Sequence, residues 1–285
     1  MLISILPSLL IDGTETLTRR KRSKSSVYTL ERKGESYDFT ILIPAYNEEK
    51  RITKSLSSIE RYKSKTIVVD DGSKDNTALI AKNLGFEVIR VQNGKKIGAI
   101  KSGLESINSK STIILDADSR VKSPEKIPKL VQALFDEKLV AAAVQILPDI
   151  NENSSVLQKL QYIEYKIAME IGRKSTYDSV ICISGAFGAY RTKELKEVTE
   201  IQAKKPMFEG DDLERTLLLL ERGKVGYFPD FVVYTSVPRN LKELTNQRIK
   251  WQYGFLDKHI KFRKLLKRKD KVGAQFLYNY ILNIG

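Results

Sequence analysis

Four clusters of ionisable residues follow one another along this chain. They are Asp70-Asp71-Gly72-Ser73, Asp116-Ala117-Asp118, Glu209-Gly210-Asp211-Asp212 and Gln247-Arg248-Ile249-Lys250-Trp251, with Lys95-Lys96 between the first two. Where a chain turns at a strand end, two carboxylates one residue apart, such as Asp116 and Asp118, can share a ligand. A hard cation such as Mg2+ or Mn2+ takes one or two protein carboxylates and fills its other positions with phosphate oxygens. Glu209, Asp211 and Asp212 open a helix, and capping needs only one acid there. A carboxylate crowded by others has a raised pKa and is a candidate general base. Gln247, Lys250 and Trp251 fall on one helical face by i, i+3, i+4 spacing. An indole beside a cation and an amide suits a sugar ring and a diphosphate. Asp71-Gly72 alone marks only a tight turn.

The elements that must position these groups alternate regularly. Thr66–Val69 and Thr112–Leu115 are apolar runs that read as buried parallel strands, and ligands bind at the carboxyl ends of such strands in open α/β sheets. A first strand covers Phe39–Ile43 and ends at Pro44, and Asn47-Glu48-Glu49 opens a helix to Glu60. Asp75-Asn76-Thr77 caps a helix ending near Gly85. Phe86–Val91 reads as a strand and Ile97–Ile107 as a helix. The alternation predicts an α/β fold, a doubly wound, mostly parallel central sheet with helices on both faces. Beyond it come a helix over Glu125–Glu137, a strand over Val140–Leu147 and a long amphipathic helix over Val156–Gly172. Ile181–Ile183 leads into a glycine-interrupted turn, Ser184–Arg191. A helix over Leu213–Glu221 and a strand over Gly226–Tyr234 follow.

The chain has 285 residues, 41% of them apolar, enough for a sizeable core. Lys and Arg number 49 against 35 Asp and Glu, a net charge of +14. Such a surface meets nucleic acid, anionic lipid or a phosphate-bearing ligand. The single cysteine, Cys182, rules out an intramolecular disulfide and a cysteine zinc site. Inside the apolar run Val180–Ile183 it is expected to be a buried structural thiol. The single histidine, His259, lies in a basic tail and argues against a His-dependent triad.

Basic residues gather at Arg19–Lys24 and again from Lys258 to Lys271, where Lys261, Arg263, Lys264, Lys267, Arg268 and Lys269 interleave with Ile260, Phe262, Leu265 and Leu266. The second segment is expected to form an amphipathic helix on an anionic membrane surface. Met1–Ile11 is apolar but short, holds Pro7 and lacks a basic start, so it makes a poor signal peptide. No stretch reaches the roughly 20 apolar residues of a transmembrane helix. Val272–Gly285 begins like one, and is expected to be the start of a membrane segment.

Taken together, residues 38 to 257 resemble an inverting glycosyltransferase of family 2 with the GT-A fold, closest in motif pattern to membrane-bound polysaccharide synthases. Ile43-Pro44-Ala45-Tyr46-Asn47-Glu48-Glu49 is similar to the family's opening nucleotide-binding turn. Val69 to Thr77 is similar to the element whose acids, here Asp70 and Asp71, meet the nucleoside. Asn93-Gly94-Lys95-Lys96 resembles the lysine-bearing stretch near the diphosphate, with Lys95 and Lys96 both candidates. Asp116-Ala117-Asp118 fits the DxD metal motif, which implies Asp118 as direct ligand with Asp116 beside it. The segment from Ser184 through Gly185 to Arg191 resembles the acceptor side. Asp211-Asp212 stands where the family carries an acidic pair whose second member is the base, which implies Asp212. Gln247-Arg248-Ile249-Lys250-Trp251 resembles the QxxRW signature, with a lysine that keeps the charge but lacks arginine's bidentate fork.

The resemblance implies transfer of a sugar from a nucleotide diphosphate, a UDP-sugar, to a hydroxyl acceptor by one displacement with a divalent ion. Lys250 and Arg248 would stabilise the departing diphosphate, and Trp251 would pack beside the acceptor. It also implies polysaccharide synthesis at a membrane, with the catalytic domain on the cytoplasmic side. The alternative is transfer of one sugar to a polyprenyl phosphate or lipid. Three segments are expected: a partly basic arm over 1–37, the catalytic domain over 38–257, and a membrane-contacting end over 258–285. The acidic clusters argue against a nucleic-acid-binding module. A sugar-nucleotide-forming nucleotidyltransferase would carry a glycine-rich phosphate loop, and Ile43–Arg51 has no glycine.

Overall fold

Side chains that alternate between two apolar clusters build the sheet. Ile41 and Ile43 of strand β1 (Phe39–Ala45) enter one cluster while Leu42 enters the other. Val68 of β2 (Thr66–Asp70) likewise faces away from Ile67 and Val69. A strand buried on both faces must alternate in this way, because successive side chains point to opposite sides. The computed structural model describes residues 38–92, 95–169, 180–204 and 209–267, with Gly273 and Phe276.

In chain order the elements are β1, α1 (Ile52–Ser58), β2, α2 (Thr77–Asn83), β3 (Glu87–Arg90), α3 (Lys96–Glu105), β4 (Ser111–Leu115), β5 (Ser119–Val121) and α4 (Ile127–Asp136). Then follow β6 (Leu139–Pro148), α5 (Val156–Glu164), β7 (Phe187–Arg191), α6 (Thr192–Ala203), α7 (Asp211–Leu220), β8 (Lys224–Thr235) and α8 (Leu241–Lys261). The described residues form an eight-stranded sheet in the order β3-β2-β1-β4-β7-β6-β8-β5. Helices α1, α2 and α4 contribute to one apolar cluster, and α3, α6 and α7 to the other. The expected α/β class with helices on both faces holds.

The parallel character belongs to one half. β3, β2, β1 and β4 run parallel, whereas β7 pairs antiparallel with both β4 and β6, and β5 antiparallel with β8. β6 and β8 run parallel to each other. The strand order reverses at β1, between β2 and β4, which places a ligand crevice beyond their carboxyl ends.

Several elements differ from the sequence expectations. Residues Ser184–Arg191 do not simply turn, because Phe187–Arg191 is strand β7. Asn47 does not open a helix. It sits at φ 55°, and the helix begins at Ile52. The helix starting at Val156 is α-helical to Glu164 and continues as a π-turn over Tyr165–Met169, beyond which the expected stretch to Gly172 lies outside the described residues. Lys258–Lys261 are the last turn of α8 rather than a separate amphipathic helix, so this helix runs through the expected 257/258 boundary. Cys182 is half-buried, not buried, at the edge of the second apolar cluster. Residues 1–37 and most of 268–285 lie outside the described residues.

Candidate active site at the strand ends

Beyond β1 and β2 two loops are braced against each other. The backbone N–H of Asn47 donates to Ser73 Oγ at 2.9 Å, and Asn47 Oδ1 accepts from the Lys74 N–H at 2.9 Å. The Glu48 N–H donates to Thr77 Oγ1 at 2.7 Å, and the Glu49 N–H to Asp75 Oδ2 at 3.1 Å. These cross-bonds require the left-handed turn at Asn47, which is why the helix starts late. Pro44 and Ala45 end β1 in register with Val69 and Asp70, and the Asp71 N–H donates to the Ala45 carbonyl at 2.9 Å. Tyr46 stands exposed beside them.

Asp70 and Asp71, expected together at the nucleoside, are buried. Asp70 is committed to its own fold: Arg90 Nε donates to its Oδ2 at 2.9 Å and the Ser73 N–H to its Oδ1 at 3.2 Å. Asp70 therefore shapes the turn, and Asp71 is the member of the pair left one residue further into the loop.

Asp116 and Asp118 follow β4. Burial pushes the Asp116 carboxyl up, Lys96 opposes that, and Asp118 adds to it. Burial and then Glu48 push Asp118 up, against Arg51. Glu48 is itself clasped by Arg51 at 2.6 Å. Two partly buried carboxylates, each pushed up by burial and by a neighbouring acid, fit a hard divalent cation, whose charge would relieve both. Among the described residues no group of three or more His, Cys, Asp or Glu could hold a metal alone. Two carboxylates are the number that a cation sharing its shell with phosphate oxygens takes from protein.

Gly185 is where the acidic clusters converge. A methyl group there would lie 3.2 Å from Lys96 Nζ, 3.4 Å from Asp116 Oδ2 and 3.8 Å from Asp212 Oδ2. Lys96 is ion-paired with Asp116, and the two side chains keep 34% and 27% exposure, so the pair faces open space. Burial disfavours the ammonium of Lys96, but Asp116 and Asp211 outweigh it and hold it above its ordinary range. Of the two candidate lysines Lys96 joins the cluster, while Lys95 sits exposed at the N-cap of α3.

Helix α7 begins at Asp211 and carries both acids in its first turn. The Gly185 N–H donates to Asp212 Oδ2 at 3.2 Å. Thr216, one turn on, donates to the Asp212 carbonyl at 2.7 Å and accepts the Ile183 N–H at 2.9 Å, which ties α7 to the Gly185 segment. Burial and then Asp211 push the Asp212 carboxyl up. Burial also acts on Asp211, but Lys96 and Arg215 overcome it and hold that carboxyl below its ordinary value. One acid of the pair stays ionised, and the other is poised to take a proton.

Helix α8 presents its residues differently from the expected single face. Lys250 is 63% exposed and reaches Glu209 Oε1 at 3.4 Å. Arg248 pairs with Glu164 of α5 at 2.7 Å and lies 4.5 Å over the Trp251 ring, which packs on the first apolar cluster. Gln247 Oε1 is buried with no hydrogen-bond partner among the described residues. Arg248 and Trp251 thus brace α8 against its neighbours, and Lys250 alone of these side chains is tied to the Glu209–Asp212 segment by an ion pair.

Sequence reasoning missed three residues near the pair. Glu214 is buried between Lys258, at 3.3 Å, and Lys261, and so joins α7 to α8. Arg215 is buried on α7 and pairs with Asp211 at 3.2 Å. Tyr190 of β7 is buried beside Arg215. The signal for Arg215 was a lone cation four residues after Asp211, just before the run Leu217–Leu220.

A family model described as Glycosyl transferase family 2 matches residues 40–199. A poly-beta-1,6-N-acetyl-D-glucosamine synthase of Staphylococcus epidermidis is 29% identical over 227 residues, covering 75% of this chain and 54% of the relative. One from Staphylococcus aureus strain COL is 29% identical over 225 residues with the same coverage, 75% and 54%. The chain spans about half the length of these curated relatives. Among solved structures, the mannosyltransferase PcManGT from Pyrobaculum calidifontis, in complex with GDP-Man and Mn2+, superimposes with a TM-score of 0.70 at 17% identity, over 98% of this chain and 79% of that one. S. aureus TarS 1–349 in complex with UDP-GlcNAc gives a TM-score of 0.56 at 14% identity, over 85% and 72%. At such identities the likeness establishes the fold.

Proposed function

The chain belongs to glycosyl transferase family 2, and from that premise we propose an inverting enzyme that moves a sugar from a UDP-sugar to a hydroxyl of a growing saccharide. One observation carries this: Asp212, whose carboxyl burial and Asp211 push up, converges with Asp116 and Lys96 on the point that a methyl at Gly185 would occupy. That convergence brings a proton acceptor and phosphate-binding charge within reach of one substrate. An inverting displacement needs both, since the acceptor attacks the face opposite the leaving diphosphate.

The chain's own residues divide the work. The braced loops at Pro44–Glu48 and Asp71 hold the nucleoside. Lys96 offsets charge on the departing diphosphate, with Lys250 at the rim. Asp212 takes the proton of the attacking hydroxyl, while Asp211 stays ionised beside it. Asp118, with Asp116, would hold a divalent ion, Mn2+ or Mg2+; when bound, it neutralises diphosphate charge as a Lewis acid. The relatives that are 29% identical are named for a polymer of N-acetyl-D-glucosamine, which supports UDP-GlcNAc as donor and a polysaccharide as product. Product length on a lipid-linked primer separates this from transfer of one sugar to a lipid.

We place the catalytic domain at the cytoplasmic face of a membrane with anionic lipid. Among the described residues, eight of the ten exposed large apolar side chains lie on two stretches: Val156, Leu160, Ile163 and Ile167 around α5, and Leu241, Ile249, Tyr253 and Ile260 on α8. Arg248 and Glu164 bridge these helices, and Lys166, Lys242 and Lys250 supply positive charge among them. No helix among the described residues is long and apolar enough to cross a membrane. Flotation with anionic vesicles, lost when Leu160 and Ile163 are both changed to Glu, tests the contact.

The decisive experiment compares Asp212→Asn with Asp211→Asn, using UDP-GlcNAc and Mn2+ and reading UDP release and product. Asp212→Asn should keep donor binding and lower transfer by about 10²-fold or more, the scale of losing a general base. Near-normal turnover in both variants would sink the mechanism, and loss in Asp211→Asn alone would move the base by one residue.

A further inference from the structure

Arg215 is an expensive residue in its place. Its side chain is 1% exposed, and its Nε is buried without a hydrogen-bond partner among the described residues. Taking a guanidinium out of water costs several kcal/mol, so a buried ion pair is poor evidence for stability, and an apolar residue of similar size often serves a core better. The helix is buried from Leu213 to Leu220, and five of those residues are leucines. The cation therefore asks for another account, and its partners supply one. Nη2 donates to Asp211 Oδ2 at 3.2 Å, one helical turn back. The buried phenol of Tyr190 lies beside the guanidinium and favours its charge. Room for that phenol is made at Gly188, where any Cβ would overlap the Tyr190 hydroxyl. Strand β7, helix α7 and the acidic pair are thus locked through one side chain.

We propose that Arg215, anchored by Tyr190, is a positioning residue for the transfer reaction: it binds Asp211 to the interior so that Asp212 alone meets the acceptor hydroxyl. This rests on Asp212 being the base. Geometry supports the division, because Asp211 points a carboxylate oxygen at Arg215 while Asp212 points one at the Gly185 N–H. The charges agree with it: Lys96 of α3 and then Arg215 hold Asp211 below its ordinary value against burial, and both also oppose proton binding at Asp212, which burial and Asp211 push up. Without Arg215 the pair would keep a shared proton to higher pH, and the base would be ready only in more alkaline solution.

The test is the pH profile of UDP-GlcNAc turnover with Mn2+, in the full chain, for Arg215→Met, Arg215→Lys and Tyr190→Phe. Arg215→Met should move the acid limb of kcat to higher pH. A displacement of one pH unit lowers turnover on that limb by about tenfold, with recovery toward wild type at alkaline pH and KM for the donor unchanged. Arg215→Lys, which keeps the charge, should move the limb less, and Tyr190→Phe should fall between. Should Arg215→Met fail to fold, Arg215→Lys and Tyr190→Phe carry the test. Infrared titration of the carboxyl bands in metal-free protein reads the same displacement without turnover. A uniform loss across pH with the limb in place would reduce Arg215 to a packing residue and overturn the proposal. If Asp212→Asn keeps its turnover, the base assignment itself fails; if Asp212→Asn is inactive and the limb stays put in all three variants, only the role of Arg215 does.

Discussion

The two halves of the sheet handle their polar groups in opposite ways. At the parallel end, the loops after β1 and β2 close their hydrogen bonds among themselves: Asn47 with Ser73 and Lys74, Glu48 with Thr77, Asp70 with Arg90 and Ser73. At the mixed end, Asp211, Asp212 and Arg215 of α7 meet Lys96 from the start of α3, and their charges act on one another. The first arrangement makes a rigid cradle, suited to a part of the donor that does not react. The second stores electrostatic tension beside the place where bonds would change, as sites of acid–base chemistry do. Rigidity and tension lie on either side of β4, the strand that delivers Asp116.

Changes at that seam should have the largest effects. Asp118→Ala removes the proposed direct metal ligand and should weaken Mn2+-dependent UDP binding by about 100-fold, since disturbing even an outer-shell partner costs 10- to 100-fold. Calorimetry with and without Mn2+ measures it, and unchanged affinity would move the metal away from Asp118. Gly185→Ala is next. Its methyl would press on Lys96 Nζ at 3.2 Å, which must give by a few tenths of an ångström, and would touch Asp116 Oδ2 at 3.4 Å. A misplacement of 1 Å at reacting groups costs about 10²-fold, so a loss in kcat on the order of tenfold is expected. An unaffected kcat would show that the gap at Gly185 is not where donor and acceptor meet.

Sequence patterns made the parallel half legible because its strands are short apolar runs ending in acids. Thr66–Val69 and Thr112–Leu115 announced β2 and β4, and Asp116 and Asp118 follow from the latter. The mixed half was harder. β7 looked like a turn because Gly188 interrupts it, yet that glycine is what a strand needs when Tyr190 folds back over it. Lys95 and Lys96 are indistinguishable by type, and only the start of α3 turns Lys96 toward Asp116. The last turn of α8 looked like a solvent- or membrane-facing basic helix, because burial of Lys258 depends on Glu214, distant in sequence. Such pairings depend on tertiary packing, which periodicity does not report.

The stability of the two halves should respond to loss of a carboxylate with opposite signs. Asp70 is fully buried and accepts from Arg90 and the Ser73 N–H. Asp70→Ala leaves those donors short of a charged acceptor, a loss of about 2 kcal/mol, which lowers the melting temperature by about 4–8 °C in a chain of this size. Asp212 should behave in the reverse way. Burial, and then Asp211, push its carboxyl up in the folded protein, so between the unfolded value of about 3.9 and the folded one the native state binds the extra proton. Stability from this group is complete below that window and falls as pH rises through it. At neutral pH the ionised Asp212 is a cost, tolerated for chemistry. Asp212→Asn keeps the shape, but its amide oxygen can accept only one of the Gly185 and Leu213 N–H groups that the carboxylate holds, so it should raise the melting temperature by about 2–4 °C for each kcal/mol by which the relieved charge exceeds that lost hydrogen bond. The gain should vanish near pH 4, where wild-type Asp212 holds its proton. Melting curves of both variants at pH 7 and pH 4 decide the matter. If Asp212→Asn is destabilised at neutral pH like Asp70→Ala, its carboxylate is a structural bond and the contrast between the halves disappears.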